Sequence, residues 1–387
     1  MTNKIIPYGK QSISQDDIDA VVDVLKSDWL TQGPKVPAFE QAIANYCEVS
    51  FACATNSATS ALHIACLALD VGENDIVWTS PISFVASSNC ALYCGATIDF
   101  VDIDLETGNM SVDALAAKLK IAKQKNTLPK IVIPVHLAGQ SCDMAAIHAL
   151  AQEYGFKVIE DASHAIGAKY KGKPVGSCDY SDITVFSFHP VKIITSAEGG
   201  MAVTNCEILD KSMKRLRSHG ITSNPDEMTE PSHGPWYYQQ IELGFNYRMT
   251  ELQAALGLSQ LSKLDEFVTK RNQLAKVYSS KLKDLPINHL TQSQQSYSSY
   301  HLYILTLSGG AVVKHESLIC SLREQGITSH LHYIPIHIQP YYKELGFKAN
   351  DFPNAMKYYS CALTIPLHPE LTNSEQNFII KTLAEQL

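Results

Sequence analysis

The stretch FACATNSATSALHIACLALDVGENDIVWTSPISFVASSNCALYCGATIDFVDI, residues 51–103, decides the architecture. Short apolar runs (FACAT, DIVWTS, ATIDFVDI) alternate in it with segments of helical periodicity (SATSALHIACLAL, SFVASSNCALY). The runs are nearly continuous in apolar character, as strands are when both faces of their sheet are covered. The alternation continues through SVDALAAKLKIAK, KIVIPVHLAG, MAAIHALAQEYG and FKVIED, and Gly155 stands where a helix-ending glycine belongs. These are βα units around a mostly parallel, doubly covered sheet, so the fold class is predicted to be α/β.

Upstream, Ser14 followed by Asp17 reads as a capping-box-like helix start, with Ile18, Val21, Val22 and Leu25 on one face. A second helix aligns Phe39, Ile43 and Tyr46. After residue 180 the pattern changes: DITVFSFH and GGMAVTN read as two strands joined only by HPVKIITSAE. Residues 221–242 read as a long functional loop, and a helical stretch from Thr250 to about Leu282 as a link to a second domain. INHLTQSQQSYSS is polar and reads as an exposed connection. Beyond it, HLYILTLS, the helix ESLICSLREQG, ITSHLHYI and two closing helices suggest a small α+β domain.

With 387 residues the chain exceeds a single small core. Only 18% of residues are charged, against about 25% in typical soluble domains. The net charge is −8 and no Lys/Arg block occurs, so nucleic acid is not an expected partner. The N-terminus MTNKIIPYGKQ lacks a signal-peptide core and no run of 18 apolar residues occurs, so a cytoplasmic protein with no membrane association is expected. Ten cysteines without C-x-x-C read as reduced thiols. No metal is expected: there is no H-E-x-x-H, and His330, His332 and His337 have no carboxylate at ligand spacing.

GAKYKGK (167–173) matches half of a P-loop, but Pro174 replaces the magnesium-binding hydroxyl and turn-formers flank the motif, so it reads as an ordinary turn. No G-x-G-x-x-G follows a strand and no G-x-S-x-G elbow occurs, which leaves a dehydrogenase or serine hydrolase without support. What remains is a constellation. Asp161 ends an apolar strand and should emerge at the carboxyl edge of the sheet. Lys192 lies between two buried strands, with Ser187 five residues before it. Asn56-Ser57-Ala58-Thr59 opens a helix after a strand and offers free N–H groups to a phosphate. A phosphate, a basic ring nitrogen and an aldehyde would use all of these, and pyridoxal phosphate carries all three.

These residues resemble those of the DegT/DnrJ/EryC1/StrS sugar aminotransferases, which share the aspartate aminotransferase architecture (fold type I). The likeness is carried by SFHPVKIITSAEGG (187–200), EDASHAIG (160–167), NSATSALH (56–63), PISFVAS (81–87) and GFNYRMTELQAALG (244–257). The resemblance implies a large cofactor domain over 1–255, whose N-terminal segment also reaches the substrate site, and a small domain over 256–387 that includes the linking helix. It implies pyridoxal 5'-phosphate, with Lys192 as the Schiff-base lysine and Asp161 as partner of the ring nitrogen. Phe84 would stack on the ring; Ser57, Ala58, Thr59 and Ser187 would hold the phosphate. Asn246 would reach that phosphate from a partner subunit, so a homodimer with shared sites is implied. His164 would lie beside the ring, where many relatives carry Gln.

Three further stretches, 6–34, SFHPVK and HYIPIHIQPYY (332–342), look nearest to family members that aminate a UDP-linked 4-keto-6-deoxy-N-acetylhexosamine with L-glutamate in pseudaminic acid synthesis. Tyr8, Lys26, Thr31, Arg248, His332, Tyr333 and His337 are the residues that this likeness offers for the sugar nucleotide. The alternative within the family is another nucleotide-sugar 4- or 3-aminotransferase with a dTDP- or GDP-linked substrate, and a related dehydratase would carry His in place of Lys192. A non-catalytic DNA-binding regulator is opposed by the acidic charge and the lack of a helix-turn-helix.

Overall fold

The computed structural model describes residues 5–387; Met1–Lys4, part of the stretch read above for a leader, lie outside the described residues. Seven strands form the central sheet: β1 (Phe51–Thr55), β2 (Ile76–Thr79), β3 (Thr97–Phe100), β4 (Ile131–Ile133), β5 (Lys157–Asp161), β6 (Ile183–Ser187) and β7 (Gly200–Thr204). Their order is β1-β7-β6-β5-β4-β2-β3. All adjacent pairs from β6 to β3 are parallel, whereas β7 runs antiparallel to both β6 and β1. The connection 188–199 contains no helix of the kind that usually carries a parallel crossover, and the chain instead returns antiparallel.

Helices cover both faces. Along β4, Ile131 and Ile133 face a core shared with α3 (Ala58–Ala68), α4 (Ala86–Tyr93) and α7 (Glu207–Leu216), while Val132 faces α5 (Val112–Lys125) and α6 (Met144–Tyr154). That two-sided burial is the physical reason for the unbroken apolar runs. Phe39 and Ile43 of α2 (Lys35–Cys47) pack on Phe186 and Met201 near the β1 edge.

α1 (Gln15–Leu25) starts as its sequence predicts: the Asp17 carboxylate accepts from the Ser14 N–H at 2.8 Å. Asp17 is fully buried and also receives Ser259 Oγ and Gln260 Nε2 from α8 (Glu251–Leu261), and the Lys263 ammonium. The single helix expected to about Leu282 is therefore two, α8 and α9 (Leu264–Lys281), with Lys263 between them turned onto Asp17. Burial pushes the Asp17 carboxyl up, but Lys263 and the donors from Ser14, Ser259 and Gln260 overcome it and hold it at about 2. Its folded value lies below the unfolded one. Asp17 thus contributes stability that is fully present above about pH 4 and is lost as the pH falls toward 2. Asp17→Asn is expected to destabilise by about 2 kcal/mol in urea melts at pH 7. The gap to the wild type should close by pH 2 to 3, and a pH-independent gap would contradict this account.

A second sheet follows, antiparallel in the order β8 (Ile287–His289), β9 (Tyr303–Leu307), β10 (Ala362–Ile365). Its core joins Leu305 and Leu363 to α9, α10 (His315–Glu324) and the closing helix Asn373–Gln386. Two expectations change here. INH, read as part of a loop, is the edge strand β8, and Ser296–Tyr297 pairs with Lys169–Tyr170. ITSHLHYI is not a strand; it makes isolated bridges from Ile327 to Ile6 and from His330 to Thr364, and ALTI of β10 takes the third place.

GAKYKGK forms a hairpin in which Lys169–Tyr170 pairs with Lys173–Pro174. Lys171 (φ 49°) and Gly172 (φ 82°) both adopt the left-handed region, as a type I′ turn requires. Among the described residues, no helix is long and apolar enough to cross a membrane, no cluster of side chains could hold a metal ion, and the ten cysteines are free thiols.

Candidate active site

β1, β5 and β6 end on one edge of the sheet, at Thr55, Asp161 and Ser187. Asp161 is buried. Its Oδ2 accepts the Ser87 hydroxyl at 2.5 Å and its Oδ1 the Ser163 N–H at 3.1 Å. Two donors from different segments fix the orientation of the carboxylate. Lys192 lies in the 188–199 loop, half-buried, and its ammonium has no hydrogen bond or ion pair with any described residue. Burial pushes the Lys192 amine down to about 8, and the nearby Asp161 charge opposes that fall.

Next to this pair, α3 begins. Ser57 caps it by accepting the Ser60 N–H at 3.1 Å, and the Ser57 carbonyl takes the Ala61 N–H. The first-turn N–H groups of Ala58 and Thr59 have no place in the helical ladder, so they and the positive helix end can face an anion. β7 approaches closely: a Cβ at Gly200 would stand 2.5 Å from the Ala58 nitrogen and the Ser57 carbonyl oxygen, so no side chain fits. Ser187 is buried and its hydroxyl has no partner among the described residues. Phe84, just before α4, leaves its ring 61% exposed at the mouth. Asn246 is exposed; its carbonyl accepts from Asn56 at 3.4 Å, and its side-chain amide has no partner among the described residues.

The opposite wall comes from the N-terminal segment and the second sheet. Tyr8 packs on His330 and His332, with centroids 5.6 and 5.0 Å apart. His332 Nδ1 lies 2.9 Å from the Thr364 hydroxyl. Burial, with His330 and Lys192 nearby, pushes the His332 imidazole down to about 3. Tyr333 stacks on His164 at 5.9 Å and approaches Phe84 at 6.5 Å. His301, which the sequence reading did not single out, packs on His164 at 4.4 Å with Nδ1 buried and unpartnered. Its only signal was a histidine at the start of the strand HLYILTLS.

Four expected substrate residues do not join this cluster within the chain. Lys26, which caps the end of α1, and Thr31 beyond it are exposed, and Arg248 is half-buried with no ion pair among the described residues. His337 corrects the sequence reading: it is fully buried and packs on Phe352 (4.9 Å) and Phe100 (6.5 Å). Its ring fills an aromatic core behind the sheet end.

The residues fit pyridoxal phosphate by their donor chemistry. Asp161 suits a pyridinium nitrogen, Lys192 an aldehyde carbon, the α3 N-terminus with Ser187 a phosphate, and the exposed Phe84 ring a heteroaromatic face. That set, on the carboxyl edge of this sheet, defines a pyridoxal-phosphate-dependent aminotransferase of fold type I. Residues 11–384 match the DegT/DnrJ/EryC1/StrS aminotransferase family, and the chain belongs to it. It is 40% identical over 383 residues to the UDP-4-amino-4,6-dideoxy-N-acetyl-beta-L-altrosamine transaminase of Campylobacter jejuni (serotype O:23/36, strain 81-176), covering 98% of this chain and 96% of that one. Helicobacter pylori PseC, an aminotransferase involved in the biosynthesis of pseudoaminic acid, superposes with a TM-score of 0.90 at 32% identity over 99% of each chain. The pyridoxal-phosphate form of Spr1654, a sugar aminotransferase from Streptococcus pneumoniae, superposes at 0.88 with 30% identity over 99% and 100% of the two chains.

Proposed function

We propose that the protein transfers the amino group of L-glutamate to the 4-keto carbon of a UDP-linked 4-keto-6-deoxy-N-acetylhexosamine, forming UDP-4-amino-4,6-dideoxy-N-acetyl-β-L-altrosamine for pseudaminic acid synthesis. The observation that carries the chemistry is Lys192, half-buried and unpaired beside Asp161. The choice of sugar is supported by the 40% identity with the Campylobacter transaminase.

Bound pyridoxal phosphate supplies an electrophilic carbon for amines and a ring that takes up the electron pair left by a departing α-proton. The chain's residues do the rest. Asp161 holds a positive charge at the ring nitrogen, and Ser87 and Ser163 hold Asp161 in place. Lys192 would hold the cofactor's aldehyde carbon, and its free amine, which burial brings to about 8, would serve as the base that takes and returns a proton at neutral pH. Ser57, Ala58, Thr59 and Ser187 bind the phosphate and Phe84 covers the ring. His332, Tyr333 and Tyr8 line the sugar side, and Lys26, Thr31 and Arg248 are kept for the nucleotide in the assembled dimer. In this reading residues 1–255 carry the cofactor, 256–387 close over the substrate, and the enzyme works in the cytoplasm, where its ten free thiols stay reduced.

Assay against a panel of UDP- and dTDP-linked 4-ketosugars, with product configuration determined by NMR, tests the reading. Amination of the UDP-linked N-acetyl sugar to the altro product is expected. Turnover of dTDP-sugars alone would overturn the substrate, though not the reaction class. For the shared sites, mixing inactive Lys192→Ala and Asn246→Ala chains should restore part of the activity. No recovery after verified subunit exchange would refute the crossing of Asn246.

A further inference from the structure

The hydrogen bonds of His164 determine what the neighbouring Tyr333 can do. The Ala138 N–H donates to His164 Nδ1 at 3.3 Å, so Nδ1 carries no proton. The ring is neutral: it is buried, and burial together with Lys192 and His332 pushes it well below the usual histidine range. Its single proton is therefore on Nε2, which lies 3.0 Å from the Tyr333 hydroxyl. Nε2–H must donate and the Tyr333 oxygen must accept. The Tyr333 hydrogen is then turned away from His164, and it has no acceptor among the described residues. Tyr333 also stays protonated, and so available as a donor, because burial and the nearby Tyr8 and Asp161 push its phenol up.

We propose that Tyr333 is a catalytic hydrogen-bond donor to an oxygen of the bound reactants, and that His164 is the positioning residue that aims it by occupying the tyrosine's acceptor lone pair. This rests on the aminotransferase reading of the site. Two oxygens share the required chemistry: the ring oxygen of the cofactor, and the carbonyl oxygen of the ketosugar as it becomes water. In the second case the sugar carbon gains a bond to nitrogen and loses its bond to oxygen. The oxygen leaves as water with the two protons that the attacking amine gives up; the tyrosine relays them in turn, each time giving a proton to the oxygen and regaining one from the nitrogen, so atoms and protons balance without any co-reactant. The backbone N–H of Ala138 anchors the relay, so His164 acts through the hydrogen it donates, which an amide can also supply.

The test uses holoenzyme and follows each half-reaction separately, with glutamate alone and then with ketosugar alone, besides the absorption spectrum of the resting cofactor. In Tyr333→Phe, a shifted resting spectrum supports the cofactor oxygen. An unchanged spectrum with the ketosugar half-reaction slowed about 10- to 100-fold and the glutamate half-reaction intact supports the sugar oxygen. Wild-type behaviour in all three measurements overturns the proposal. His164→Leu should reproduce the Tyr333→Phe effect, and the double variant should be no worse than either alone; fully additive losses would refute the relay. His164→Gln, which restores an N–H donor, should recover most of the lost rate with melting unchanged, and a Gln variant as impaired as Leu would count against it. If wild-type enzyme fails to react with glutamate at all, the proposed amino donor falls, an outcome separate from any result on Tyr333.

Discussion

Lys192→Ala is expected to lower turnover by about 10⁴-fold or more, because one substitution removes both the group that bonds the cofactor and the base that moves its proton. The fold should survive, since Lys192 lies in a loop and its ammonium anchors nothing among the described residues. Borohydride reduction of wild-type holoenzyme, followed by peptide mapping, should place the pyridoxyl label on Lys192. A label elsewhere would overturn the assignment. The lowered value near 8 adds a pH signature. Below it the amine is protonated and has no lone pair, so cofactor capture by apoprotein should rise about tenfold per pH unit and level off above pH 8. A rise that continues to pH 10 would mean that burial does not act on this lysine as described.

Asp161→Asn is expected to cost about 10²- to 10³-fold in turnover. The amide keeps the shape and one acceptor but loses the charge that stabilises a protonated ring nitrogen, and its NH₂ faces a donor, either the Ser87 hydroxyl or the Ser163 N–H. The loss should fall on both half-reactions alike, since both need the ring to accept an electron pair. A variant impaired only toward the sugar would place Asp161 among the substrate contacts. Melting temperature and far-UV circular dichroism should stay close to wild type, which separates an electronic role from a packing one.

Where the sequence speaks through periodicity, it speaks clearly. FACAT is β1 residue for residue, and Asp161 ends β5 where its apolar run stops, whereas the run DITVFSFH outlasts β6, which ends at Ser187. These positions are legible because two-sided burial and a shared sheet edge leave a pattern along the chain. Other features depend on contacts between distant segments and leave none. INH is a strand only because Leu307 and its neighbours lie beside it, and three residues are too few to show alternation. The break between α8 and α9 follows from Lys263 turning to an aspartate 246 residues away. His337 and His301 are both histidines near apolar residues; only the tertiary fold puts one in an aromatic core and the other against His164.

The reversed strand β7 has a consequence for how the molecule comes into being. Its pairing with β1 joins Phe51–Thr55 to Gly200–Thr204, so segments some 150 residues apart must meet before Gly200 can lie against Ala58. Closing so long a loop is slow and entropically costly. A nascent chain can display β1 and α3 long before it has a place for a phosphate. The cradle at the start of α3 is therefore complete only once a strand some 150 residues downstream has reached it.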